Sequence, residues 1–124
     1  HTGDNLHCYF NADTTAGNYN YYQERYAPGS SHSATSDSRV AQAGAADTVA
    51  GYLSGNVLTI LDHESSNYGK YWVSHGCSGD STAREYGYIW SGYWESDAPI
   101  TSMSFVPVHG SDITAGYVRV YGVK

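Results

Sequence analysis

The stretch Glu85-Tyr86-Gly87-Tyr88-Ile89-Trp90-Ser91-Gly92-Tyr93-Trp94 alternates with a period of two. Successive side chains of a strand point to opposite faces, so Tyr86, Tyr88 and Trp90 share one face of an extended segment. Working outward, the chain sustains no helical periodicity, and strand-like runs recur between turn signals. Leu6 to Asn11 is a short strand that ends in the polar stretch Asn11 to Asn18. Tyr19 to Tyr26 is dominated by aromatics and stops at Pro28-Gly29. Val57 to Leu61 is a continuous apolar run, typical of a central strand buried on both faces. Lys70 to Ser74 follows the turn Ser65 to Gly69, and Ile100 to Val108 and Gly116 to Val123 complete the set. Ser30 to Ser38 is Ser-rich and reads as a loop. Ser38 to Asp47 is rich in Ala and Gly and admits a short helix. Strands at this spacing, without helices between them, predict an all-β antiparallel sandwich or jelly roll. Neither a repeat nor a linker divides residues 1–124, so one domain is expected.

The composition suits that architecture. The chain has 13 Tyr and 3 Trp beside 2 Phe and 1 Met, so rings with polar tips must serve both core and surface. The 14 Gly and the low charged fraction of 15% fit short strands joined by tight turns. The net charge is −6, and six Lys and Arg are scattered singly from Arg25 to Lys124. A row of phosphates needs a cluster of cations, so nucleic acid is not an expected partner. No apolar run approaches the length of a membrane-spanning helix, and no cofactor motif is present. His1 is not an initiating Met, so an upstream piece is expected to have been removed or to belong to another segment. Cys8 and Cys77 are the candidate disulfide pair, and the other reading is two unpaired thiols. A bridge would remove about 4 kcal/mol of unfolded-chain entropy in the simple loop model. Low Lys content and abundant Ser, Thr, Gly and Tyr point to an extracellular setting.

Two stretches carry a family resemblance. The first is Tyr9-Phe10-Asn11-Ala12-Asp13 followed by Gly17-Asn18-Tyr19. The second is Ala98-Pro99-Ile100-Thr101-Ser102-Met103, then Ala115-Gly116-Tyr117-Val118-Arg119-Val120-Tyr121-Gly122-Val123-Lys124. They resemble the Asn-Gly-Asp turn with its Asn-Tyr pair, and the closing Leu-Tyr-Gly strand, of jelly-roll domains in structural proteins of tailed bacteriophages. Val57 to Asp62 and Lys70 are similar to that family's central strand and following Lys. Ala12 stands where the family has Gly, and Val120-Tyr121-Gly122 where it has Leu-Tyr-Gly. The resemblance implies a virion domain. It also implies one or two strands before the turn, where this chain offers only Asp4 to Phe10. A sandwich short of a strand leaves edges that invite a strand from a neighbouring subunit. The alternation in the last stretch places Val118 and Val120 on one face, expected to be the core, and Tyr117, Arg119 and Tyr121 on the other.

Chemistry-bearing motifs are sparse. Gly79-Asp80-Ser81 echoes a serine-protease nucleophile loop but lacks the glycines of an oxyanion turn, and a Gly-x-Ser-x-Gly elbow is missing. Glu24, Glu64, Glu85 and Glu95 are carboxylates of the glycosidase type, yet solvent-facing strand positions account for them better. His75-x-Cys77 and His7-Cys8 have zinc-ligand types without a four-ligand spacing, and a disulfide would exclude that set. Asn11 and Asp13 begin a calcium-type alternation of oxygen donors, but the Gly falls late and the bidentate Glu is missing. No catalytic residue and no resident metal is therefore expected.

The aromatic set is the main functional signal. Tyr19, Tyr21, Tyr22 and Tyr26, with Trp90, Tyr93 and Trp94, suit a core, a subunit interface or a platform on which sugars stack. The sequence thus predicts a structural self-assembling protein, a virion appendage or decoration domain or the repeating subunit of an extracellular filament. Its partners are copies of itself, and the alternative is a carbohydrate-binding module or lectin whose partners are glycans.

Overall fold

The computed structural model describes residues 4–26, 32–35, 37–43, 54–79, 85–108 and 116–122. Among the described residues eight strands run β1 (Asp4–Phe10), β2 (Tyr19–Tyr26), β3 (His32–Thr35), β4 (Arg39–Ala43), β5 (Ser54–Ile60), β6 (Lys70–Gly79), β7 (Glu85–Trp94) and β8 (Met103–Pro107). They form a three-stranded sheet ordered β4-β1-β8 and a five-stranded sheet ordered β3-β2-β7-β6-β5. Every described pairing is antiparallel, so the chain is an all-β sandwich. Strand β7 occupies the centre of the larger sheet, with Trp94 in register with Tyr19 on one side and Lys70 on the other. Pairs β1/β8 and β2/β7 are nested, whereas β5, β6 and β7 follow one another as a meander.

The period of two sorts the larger sheet cleanly. Tyr19, Tyr21 and Gln23 of β2, Tyr88, Trp90 and Trp94 of β7, and Lys70, Trp72 and Ser74 of β6 are buried between the sheets. Opposite them lie Cys8, Phe10 and Val40 from the smaller sheet, edged by Leu6, Met103 and Phe105. Rings fill the space that aliphatic side chains fill in most cores. Tyr21 and Trp90 pack at 5.1 Å between centroids, Phe10 and Trp94 at 5.4 Å, and Tyr19 stacks on Trp94 at 6.3 Å with 20° between planes. Such contacts add about 0.5–1.5 kcal/mol each beyond the area they bury. Glycine is required where the Trp72 ring crosses β7, because a Cβ on Gly92 would lie 2.1 Å from that ring.

Several expectations need correction. The Ser-rich stretch holds the short strand β3, and the Ala- and Gly-rich stretch is strand β4 over Arg39–Ala43 rather than helix. Among the described residues β5 lies at the edge of its sheet, with Val57 at 55% exposure, and is not a central strand buried on both faces. An apolar run specifies extended backbone but not its place in a sheet. Residues 116–122 make no strand pairing among the described residues, and Val118 and Val120 are 64% and 70% exposed rather than core. The Pro28-Gly29 turn, residues 44–47 and most of Gly79-Asp80-Ser81 lie outside the described residues.

Candidate functional site

The turn after β1 shows what Asn11 and Asp13 do. Asn11 and Ala12 adopt left-handed backbone, with φ of 52° and 59°, which turns the chain sharply out of β1. The Asn11 side chain then ties that turn to the approach to β8. Its oxygen accepts from the Thr101 N–H at 2.8 Å and the Thr101 hydroxyl at 3.0 Å, and its amide donates to the Pro99 carbonyl at 2.8 Å. Asp13 accepts from the Thr15 N–H at 3.0 Å, the Asn18 amide at 2.8 Å and the Trp94 indole at 2.9 Å. Partial burial acts to raise the Asp13 carboxyl, but the bonds from Trp94, Asn18 and Thr15 outweigh it and bring the pKa down to about 2. The two side chains that begin the calcium-type alternation therefore spend their oxygens on protein donors. Among the described residues no three metal-ligating side chains converge.

The remaining chemical candidates are pulled apart by the sheets. Cys8 is buried in the core, where burial pushes its thiol up to about 12, and Cys77 is exposed on the larger sheet. Of the two readings of the candidate pair, this structure has Cys8 and Cys77 as free thiols, with Cys77 two positions beyond His75 on the outward-facing register of β6. The same separation dissolves the zinc set of His7, Cys8, His75 and Cys77. His7 does meet a serine and an aspartate, Ser38 Oγ at 2.9 Å and Asp37 Oδ1 at 3.0 Å. Both contacts are to Nδ1, whereas a nucleophile triad uses one ring nitrogen for the hydroxyl and the other for the carboxylate. Glu64 and Glu95 are exposed and Glu24 is half-buried on β2, while the Glu85 side chain lies outside the described residues.

The seven expected aromatics divide by face. Tyr19, Tyr21, Trp90 and Trp94 are buried core residues. Tyr19 belongs there because its hydroxyl is satisfied, donating to the Asp13 carbonyl at 2.9 Å and accepting from the Phe10 N–H at 3.0 Å. Burial holds that phenol above its ordinary pKa. The Tyr26 side chain lies outside the described residues.

Tyr22 and Tyr93 face outward, and the structure adds Tyr71, which sequence reading overlooked. The signal was available: Tyr71 alternates with Trp72 at the start of β6, but that stretch was read only as a short strand. Tyr71 and Tyr93 are register partners with ring centroids 4.8 Å apart and 44° between planes. In the next row Tyr22, Ser91 and Val73 are partners across β2, β7 and β6. Together with Asn20 and Leu61 these residues line a groove of about 720 Å³ on the outer face of the five-stranded sheet.

The smaller sheet has a different feature. β8 pairs only with β1 among the described residues. Met103 and Phe105 on its apolar side, Ile100 on the approach to it, and Val118 and Val120 of the last segment line a second cleft of about 440 Å³. Beneath the larger sheet, the Lys70 amine is fully buried and donates to the Tyr68 carbonyl at 2.8 Å and to the Ser96 and Asp97 carbonyls at 3.4 Å. It clamps two turns at one end of the sandwich. No protein-family model matches the chain, and no match is found to a curated protein or a solved structure.

Proposed function

We propose that this chain is a structural, self-assembling sandwich of jelly-roll type, a virion appendage or decoration domain or the repeating subunit of an extracellular filament. The observation that carries this reading is the segment 116–122. It alternates apolar and polar side chains, it lies beside β8, and Tyr117, Val118, Val120 and Tyr121 stand 82%, 64%, 70% and 77% exposed. Each of those side chains has on the order of 1.5 kcal/mol to gain from full burial. The backbone groups along the segment and along the outer side of β8 are suited to pair with a strand from another copy. When one surface of a copy meets a different surface of the next, the contact repeats without closing and builds a filament. The net charge of −6 makes copies repel, so association strengthens as salt screens that charge.

The test is light scattering after size exclusion, with electron microscopy of the same samples, on the chain and on Val118→Lys/Val120→Lys. The parent chain forms oligomers or filaments, and the double variant stays monomeric with an unchanged far-UV spectrum. A parent chain that remains monomeric at high concentration and high salt overturns the reading.

A further inference from the structure

We propose that the outer groove of the five-stranded sheet is a binding site for a neutral oligosaccharide, independent of the assembly surface on β8. The groove is framed by three phenol rings, Tyr71 and Tyr93 as a tilted pair on one side and Tyr22 on the other. Tyr71 on β6 and Tyr22 on β2 are separated by two strand spacings across the sheet, about 10 Å, and by one row along it, which is the scale of two linked sugar rings rather than one. Between the two sides lie Ser91 and Gly92 of the central strand, so the Ser91 side chain supplies a hydroxyl among the three rings, while the Gly92 backbone belongs to the ladder with Tyr21 and Trp72 and leaves the floor shallow there.

This combination matches the chemistry of a pyranose. A sugar ring has one flat C–H face that packs on the electron-rich face of a phenol, and equatorial hydroxyls that need partners around its rim. Every side chain lining the groove is uncharged. In a chain of net charge −6, a sulfated, phosphorylated or uronic-acid ligand would find no cation in this lining, which favours a neutral one. Rings are also held in place before any ligand arrives. The tip of Tyr93 lies over Gly69, where an added Cβ would fall 2.3 Å from it, and Tyr71 leans on Tyr93. A preset wall loses little side-chain entropy on binding. A second copy is a poorer occupant, since two identical hollows placed face to face leave a void where an interface needs close packing.

The experiment is a titration with cellohexaose, xylohexaose, mannohexaose and chitohexaose, followed by Trp fluorescence and amide chemical shifts. It is run on Val118→Lys/Val120→Lys so that assembly cannot interfere. Binding of at least one oligosaccharide at millimolar concentration is expected, with shifts confined to β2, β6 and β7. Tyr71→Ala and Tyr22→Ala each weaken it about tenfold, whereas Tyr68→Ala, an exposed tyrosine outside the groove, leaves it unchanged. The proposal is overturned by no response to any of the four sugars, or by binding that survives both groove substitutions. Broadening of the Tyr22 and Tyr71 signals with protein concentration alone overturns it too, and assigns the face to a second copy. None of these results bears on the β8 surface, which the assembly assay tests separately.

Discussion

The indole nitrogen of Trp94 donates a 2.9 Å hydrogen bond to a carboxylate oxygen of Asp13, 81 residues earlier in the chain. That bond joins the last residue of β7, the central strand of one sheet, to the turn that leaves β1 in the other. The turn is therefore a tertiary device as well as a local one, and its charge state matters to the whole sandwich.

Stability is expected to fall in acid through Asp13. Its pKa is about 2 in the folded chain against an ordinary value of 3.8, so the unfolded chain binds the proton more readily. The stabilising contribution is complete above pH 3.8 and disappears as pH falls through about 2. Asp13→Ala leaves three donors without their acceptor and costs about 1–3 kcal/mol at neutral pH. Urea unfolding of both proteins across the acid range checks this, and parallel curves with no convergence below pH 4 would contradict it.

Ala12 occupies left-handed backbone, where its Cβ is strained and a glycine's absent one is not. Ala12→Gly should therefore stabilise the chain, by up to about 1 kcal/mol once the greater freedom of glycine in the unfolded chain is subtracted. A lower urea midpoint for Ala12→Gly would mean that the turn is not held in this conformation in solution.

The two strand glycines Gly92 and Gly55 should answer differently to the same change. A Cβ on Gly92 meets the Trp72 ring at 2.1 Å and the Asn20 carbonyl at 2.5 Å, while one on Gly55 meets nothing within 4 Å. Gly92→Ala is expected to lower stability by about 1–3 kcal/mol, and Gly55→Ala to be neutral or slightly favourable. Equal effects, measured by thermal unfolding, would place Trp72 elsewhere.

Thiol labelling separates the two cysteines. Cys77 is exposed and reacts at once with a chromogenic disulfide reagent at mild alkaline pH. Cys8 is buried, and burial holds its pKa up to about 12, so it reacts only when the chain unfolds. One equivalent in buffer and two in denaturant is the expected count. No reaction in denaturant before reduction would reinstate the bridge.

The alternation in Glu85–Trp94 was legible without a structure, because the period of two is a property of extended backbone and needs no partner strand. The strand character of β1, β2, β6 and β8 was legible in the same local way, from their own runs between turn signals, and with it the all-β sandwich. Asn11 and Asp13 were readable as turn formers for the same local reason, since their side chains bond to nearby backbone.

Everything that depended on which strands become neighbours lay beyond the sequence. Val57 is apolar and lies in a strand, as read, yet β5 ends its sheet among the described residues; Val118 is apolar, but residues 116–122 form no strand and stand exposed. Burial depends on what packs above a residue, and a local pattern does not encode that. The seven aromatics were chemically alike on paper. Only pairing placed Trp90 and Trp94 between the sheets, set Tyr22 and Tyr93 on the outer face, and brought Tyr71 beside Tyr93 to make a groove. The sequence determined that this chain forms sheets rich in rings; the register between β2, β6 and β7 decided which rings meet solvent.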